Sequence, residues 1–236
     1  HKGLQSLISS RDITLIPGRG TLVDERTIAV NDTSVSARHV VLATGSRARS
    51  LPGVSIGGRV MTSDQALAME WIPREAIVVG GGVIGVEFAS LWRSLGVEVT
   101  ILEALPRLIA GEDESVSSGL ERALGKRGIT VRTSVQIDQI SGHHDHARLT
   151  LADGAELTAE VVLLSVGREP VTNDLGLADA GVELTDGFVS VDDRLRTTGE
   201  SVYAVGDIVA GPQLAHRAFA HGIFVAEEIA GLTPQP

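Results

Sequence analysis

The chain has 236 residues, with 30 acidic side chains against 20 Lys and Arg and a formal charge of -10. That excess repels a nucleic-acid backbone, and no apolar run reaches the roughly 20 residues needed to span a bilayer, so the sequence reads as soluble and cytoplasmic. Hydrophobic residues make up 43% and aromatic residues 3%, with no cysteine. The core must therefore be aliphatic, as in strands buried on both faces of a parallel sheet, and thiol chemistry is excluded from this chain.

The length suits one large or two modest domains. Ile13 to Ile16, a turn at Gly18-Arg19-Gly20, Leu22-Val23, Thr27 to Val30 and Ser34 to Ser36 together predict a small antiparallel meander. His39 to Leu42 is an aliphatic strand running into Ala43-Thr44-Gly45-Ser46. Thr62-Ser63-Asp64-Gln65 has capping-box spacing and opens a short helix through Met69, and Pro73 punctuates a boundary.

Next comes AIVVGGGVIGVEFAS, from Ala76 to Ser90. A short aliphatic run reaches Gly80, and apolar residues from Val83 to Leu95 fall at helical spacing, so Gly80-Gly81-Gly82-Val83-Ile84-Gly85 sits at a strand-to-helix turn. This is the context a GxGxxG pattern needs to hold a dinucleotide diphosphate. Gly80 permits the tight turn, Gly82 lets the backbone approach the diphosphate, and Gly85 lets helix and strand pack closely. The amides and positive end of the helix then face the anion.

A second strand, Val97 to Leu102, ends in Glu103, about where an acid meets an adenosine ribose. A carboxylate there accepts from the ribose diol and repels a 2′-phosphate, which favours NAD over NADP. Arg107 stands against this, since an arginine nearby can accommodate that phosphate. Glu87, in the first helical turn, serves either the helix dipole or the cofactor.

Gly111 to Ser115 leads into a helix ending near Lys126, followed by strands around Ile129 to Val131, Val135 to Ile140 and Ala147 to Leu151. Ser141-Gly142-His143-His144-Asp145-His146 lies between two of these; consecutive strand residues face opposite sides and Ser-Gly marks a turn, so an exposed hairpin is expected and no metal site. Glu160 to Arg168 repeats the design of His39 to Arg47, an aliphatic strand ending in glycine where nucleotides approach the edge of a parallel sheet. Ser201 to Val205 is another buried strand, followed by Gly206-Asp207, which is either a plain turn or a ligand for sugar hydroxyls. Leu214 to Ile229 reads as a helix.

Two domain ends but only one beginning are thus visible. LATGSR (Leu42 to Arg47), LPG (Leu51 to Gly53), GGGVIGVE (Gly80 to Glu87), VTILE (Val99 to Glu103), VGREP (Val166 to Pro170), YAVGD (Tyr203 to Asp207) and QLAHRAFAHG (Gln213 to Gly222) together resemble the flavoprotein pyridine-nucleotide-disulfide oxidoreductases. The resemblance spans practically the whole chain. It implies an α/β fold in which a Rossmann-like NAD-binding domain is inserted in a partial FAD-binding domain of the FAD/NAD(P)-binding, glutathione reductase-like type. The expected domains are residues 1–72 and 171–236 for the two FAD segments and 73–170 for the NAD domain. A chain opening on His1 without the first flavin GxGxxG strand reads as a central fragment, also lacking the redox cysteine segment and the C-terminal dimerisation domain.

Residue by residue, the resemblance places the NAD diphosphate and nicotinamide side on Gly80, Gly81, Gly82, Val83, Ile84, Gly85 and Glu87, the adenosine ribose on Glu103, the adenine by Val135 and the nicotinamide end near Gly167. It places FAD along Gly20, Thr44, Gly45, Ser46 and Asp207, with backbone donors from Gln213, Leu214, Ala215 and His216. FAD is not expected to be retained by the fragment. No catalytic residue is expected here: the family's base lies in the absent domain, and His216 and His221 read as helix-surface residues. The resemblance further implies NAD(H) as ligand, a homodimeric parent and a 2-oxo acid dehydrogenase complex as partner. A quinone or other disulfide as electron acceptor, or a non-catalytic nucleotide-sensing module, stay open as alternative functions.

Overall fold

The computed structural model describes residues 2–235. Among them five α-helices are assigned: α1 (Lys2–Ser10), α2 (Ser63–Leu67), α3 (Val83–Ser94), α4 (Glu114–Lys126) and α5 (Ala215–Ile229). The chain divides into one compact unit made of residues 1–46 and 170–236 and a second made of residues 47–169.

The second unit is built on a five-stranded, wholly parallel sheet in the order Val60–Thr62, Val161–Leu164, Glu75–Val79, Glu98–Leu102, Thr130–Arg132. Successive strand residues face opposite sides. Ala76 and Val78 accordingly join Val161, Leu163, Val99 and Ile101 in a core with Val86, Phe88, Ala89 and Trp92 of α3 and Leu124 of α4. Ile77 and Val79 join Val162, Leu164 and Leu102 on the other face, against Ile140, Leu149, Leu151 and Ala159 of a three-stranded antiparallel sheet. Two-sided burial is why the central strands, from Ala76 to Val79 and from Val161 to Leu164, carry no polar alternation.

The second compact unit opens at Arg47. Val60–Thr62 forms the sheet edge by pairing with Val162, Leu163 and Leu164, far away in sequence, so the whole segment after Arg47 belongs to the second unit. Within that segment α2 starts as its sequence predicts, because Gln65 Oε1 accepts from the Thr62 amide at 2.9 Å and from Thr62 Oγ1 at 2.6 Å.

In the first unit, Gly20–Leu22, Thr27–Val30 and Thr33–Ser36 form the expected meander. Ile13 to Ile16 does not join it: the run is irregular and Leu15 is 71% exposed, while the preceding residues form the unforeseen α1. Val40–Leu42 pairs in parallel with Val202–Ala204, and both pack on Leu22, Leu175, Leu177, Val182, Val189 and Ile208.

Helix α5 lies on Tyr203 and Val205 through Val225 and Phe224. A charged clamp holds its far end: Glu228 Oε1 accepts from Arg194 Nε at 2.8 Å and from Arg196 at 2.5 Å, Arg194 also reaches Oε2, and its guanidinium lies 5.4 Å from the Phe224 ring centre. The Arg194 hydrogen bond foremost, with Arg196 adding to it, holds the Glu228 carboxyl down to about 2. A carboxyl depressed on folding stabilises fully above its unfolded range and loses that contribution as pH falls through the folded value. Glu228→Gln should therefore flatten the loss of stability between about pH 4.5 and pH 2 in denaturant titrations followed by circular dichroism.

Candidate nucleotide-binding sites

Strand Glu75–Val79 delivers the chain into the glycine turn at the carboxyl edge of the parallel sheet. Gly80 has φ +106°, and a Cβ there would lie 2.4 Å from the Ser165 carbonyl oxygen. At Gly81 a Cβ would meet Leu108 Cδ2 at 2.4 Å, and at Gly85 it would lie 2.0 Å from the Gly80 oxygen. Gly82 is different: no heavy atom lies within 4 Å of a Cβ built on it, and the residue is exposed. Three glycines are thus required by protein neighbours, while the fourth opens onto space.

Gly82 caps α3 with no side-chain hydrogen bond, and the first helical bond runs from the Val86 amide to the Gly82 oxygen. The amides of Val83, Ile84 and Gly85 therefore precede the helical ladder, as helix geometry requires. Beside this mouth stands Glu103. Its Oε2 accepts from the Gly81 amide at 2.5 Å and its Oε1 from the Leu105 amide at 2.7 Å. Each carboxylate oxygen keeps a second acceptor position.

Arg107, which the sequence left as a candidate phosphate partner, is turned inward. Its guanidinium donates to the Glu112 oxygen at 2.6 Å, the Ala110 oxygen at 2.8 Å and Ser117 Oγ at 2.8 Å, ordering the approach to α4. Val135 lies alongside the acid, its amide donating to the Glu103 oxygen at 2.9 Å, and is half-buried against the core on the antiparallel-sheet side. Gly167 follows strand Val161–Leu164 on the same sheet edge, exposed, with φ +113°. Glu87 is exposed on α3, in a shallow groove with Ser90, Leu91, Ala123 and Arg127.

Two supports of this turn carry no motif of their own. Ser165 Oγ donates to the oxygens of Val79 and Gly80, each at 3.0 Å, and Leu108 is fully buried behind Gly81. The small residue before Val166-Gly167 was the only available signal for Ser165. The histidine hairpin forms as expected: the His143 amide donates to the His146 oxygen at 2.8 Å and the two rings stack 4.6 Å apart. No cluster able to hold a metal occurs among the described residues.

In the first unit the two parallel strands end side by side in Ala43 to Ser46 and in Val205 to Asp207. Ser46 Oγ donates to Asp207 Oδ2 at 2.6 Å, and Thr44 Oγ1 to the Val171 oxygen at 2.7 Å. Gly45 takes φ +72° with open space beside it. Gln213 holds a buried side-chain amide nitrogen with no hydrogen-bond partner in the structure. It precedes the mouth of α5, where Leu214 is an uncapped N-cap and the amides of Ala215, His216 and Arg217 precede the first helical bond. A buried orphan donor beside free amides fits a ligand rich in acceptors. Gly20 sits on the meander, where a Cβ would lie 3.2 Å from Ile28 Cγ2.

His216 is exposed, as expected of a helix-surface residue, but His221 is not such a residue. It is half-buried, and its Nδ1 accepts the Gly206 amide at 3.2 Å. Burial foremost, then the charge of Arg217, keeps its imidazole below the usual histidine range.

A parallel sheet carrying a glycine turn and an acid at the next strand, in a chain whose other unit has a second strand-end site, defines a two-nucleotide oxidoreductase architecture. The chain belongs to the pyridine nucleotide-disulphide oxidoreductase family, whose model matches residues 1–222. It is 38% identical over 235 residues to the dihydrolipoyl dehydrogenase of Chlamydia pneumoniae, covering 98% of this chain and 51% of that protein. The dihydrolipoyl dehydrogenase of Mycobacterium tuberculosis is 39% identical over 238 residues, covering 97% and 51%. Among solved structures, LpdA from Mycobacterium tuberculosis aligns with TM-score 0.92 at 27% identity, over 100% of this chain and 54% of that one. The HOCl-induced flavoprotein disulfide reductase RclA from Escherichia coli aligns with TM-score 0.92 at 26% identity, over 99% and 55%. The chain spans about half the length of the relatives it matches. The fold is thus the FAD/NAD(P)-binding, disulfide-reductase type, and no helix is long and apolar enough to cross a membrane among the described residues.

Proposed function

We propose that this chain is the NAD(H)-binding portion of a dihydrolipoyl dehydrogenase, whose full reaction oxidises dihydrolipoamide with NAD+ through FAD and a redox disulfide. The carrying observation is the open face at Gly82 between three free amides and the Glu103 carboxylate. The diphosphate lies against Val83, Ile84 and Gly85, the ribose diol donates to the free acceptor positions of Glu103, the adenine lies by Val135 and the nicotinamide end by Gly167 and Glu87.

On the flavin side, Asp207, held by Ser46, accepts from the ribityl chain, and Gln213 with the amides of Ala215 and His216 donates to the isoalloxazine edge, while the Leu214 amide, bonded to the Pro212 oxygen at 3.1 Å, shapes the approach. Gly45 and Thr44 line the same strand end, and Gly20 completes the flavin wall in this reading. When bound, FAD supplies the two-electron relay between disulfide and nicotinamide. A homodimeric parent, working in a 2-oxo acid dehydrogenase complex in the cytoplasm, completes the reading. Relatives at 38% and 39% identity bear the name dihydrolipoyl dehydrogenase, which supports this activity over another disulfide or quinone acceptor.

Calorimetry with the 236-residue chain tests the nucleotide half. NADH should bind at least about tenfold more tightly than NADPH, because the carboxylate accepts from the diol and repels the phosphate. Glu103→Ala should weaken NADH binding by about 10–100-fold and narrow the gap. Equal affinities in the unaltered protein would refute the assignment.

A further inference from the structure

The Gly206-Asp207 turn carries the acid that the flavin reading depends on, and groups from two other elements bond to it. Gly206 is buried with φ +75°, and a Cβ there would lie 3.2 Å from Ala218 Cβ, so the turn presses directly on α5. Its amide donates to His221 Nδ1 across that contact, at 3.2 Å. On the other side of the turn Asp207 Oδ2 receives the Ser46 hydroxyl. The turn is therefore held from a helix by an imidazole and from a strand end by a hydroxyl.

We propose that His221 is a positioning residue that sets the Gly206-Asp207 turn through its unprotonated Nδ1 and releases that turn when the ring takes up a proton. The chemistry is set by tautomer: a ring accepting at Nδ1 carries its hydrogen at Nε2. A proton added at Nδ1 would face the Gly206 N–H, donor against donor, and leave a buried amide without an acceptor. The turn that carries Asp207 would then lose its hydrogen bond to α5.

The surroundings oppose protonation until the solution is acidic. Arg217, one turn earlier on α5, donates to the oxygens of Ala210 at 2.6 Å and Pro212 at 3.1 Å, which keeps its charge near the turn. His216 on the same helix is exposed. Glu228, two turns further on, is fully engaged by Arg194 and Arg196. From the packed elements, Asp207 is bonded to Ser46, and Tyr203 is buried on its strand. No unengaged carboxylate among these groups faces the ring to draw a proton in, and burial with the Arg217 charge pushes the imidazole below its ordinary value. The bond should therefore be intact at neutral pH and open below the usual histidine midpoint of about 6.5.

The bond itself is independent of any nucleotide, although its functional meaning rests on the reading of Asp207 as a flavin ligand. Nuclear magnetic resonance of the isotope-labelled full chain between pH 8 and pH 5 tests it without ligand. The Gly206 amide and the His221 ring should titrate with one shared midpoint, below about 6.5. Hydrogen-exchange protection of the Gly206 amide should drop about tenfold in His221→Phe and recover in His221→Asn, whose Oδ1 occupies the Nδ1 position. A Gly206 amide that ignores the His221 titration, unchanged protection in His221→Phe, or an Asn variant no better than Phe would overturn the proposal. Because no NADH enters the measurement, failure here leaves the calorimetric result untouched, and the reverse holds as well.

Discussion

Gly82→Ala is expected to leave the protein folded and to remove most of its NADH affinity. The backbone there has φ -73° and ψ -178°, which alanine adopts freely, and the added methyl group meets no protein atom within 4 Å. Stability should stay within about 1 kcal/mol of the unaltered chain, since a compatible Gly-to-Ala change acts mainly on the unfolded state. The same methyl group occupies the face on which a diphosphate must rest to reach the amides of Val83 to Gly85. Loss of contact with these donors should weaken NADH by about 10² or more in calorimetry, equivalent to about 2.7 kcal/mol. Unaltered affinity would move the diphosphate away from this turn.

Gly85→Ala should do the opposite and strike the fold itself. A Cβ at this position would lie 2.0 Å from the Gly80 oxygen, and Ser165 Oγ would be 2.7 Å away. Neither is the end of a flexible side chain free to swing aside: one is backbone, and the other is fixed by bonds to Val79 and Gly80. The helix would have to lift from the strand, at a cost of about 1–3 kcal/mol or more for overpacking, a sizeable share of the ~5–15 kcal/mol typical of a domain. Denaturant unfolding should show the midpoint falling without a change of slope. A variant as stable as the original would mean that α3 is seated differently from the geometry given above. The pair of substitutions separates a glycine needed by a ligand from one needed by the protein, although both stand in one six-residue motif.

The sequence discloses the central sheet well because its strands are buried twice over. Ala76 to Val79 and Val161 to Leu164 are apolar at every position, and Val99 to Leu102 is broken only by the half-buried Thr100, so the aliphatic runs survive in the primary sequence. The glycine turn was legible for a related reason, since steric need leaves few residue choices. By contrast, Ile13 to Ile16 has strand-forming composition without a partner strand, and propensity alone does not pair a strand. The edge strand of the parallel sheet was not legible, because the pairing of Val60–Thr62 with Val162 to Leu164 joins residues about a hundred positions apart. His221 was misplaced on the helix surface for the same reason: its acceptor role comes from Gly206, on another element. Arg107 was legible as a charge but not in direction, because the carbonyls it caps belong to a loop whose course no motif records.

The entrance and exit of the second unit are fastened to each other: Arg47 Nε donates to Glu169 Oε1 at 2.6 Å, and the Arg49 amide to the Gly167 oxygen at 3.0 Å. A cassette with its two ends stapled behaves, for the chain that carries it, like a short connection. Val40–Leu42 can find Val202–Ala204 without closing a floppy loop of the intervening length, an entropic penalty that grows with contour. The same stapling makes the cassette transplantable, since any host able to offer two neighbouring chain ends could receive it without redrawing its own sheet.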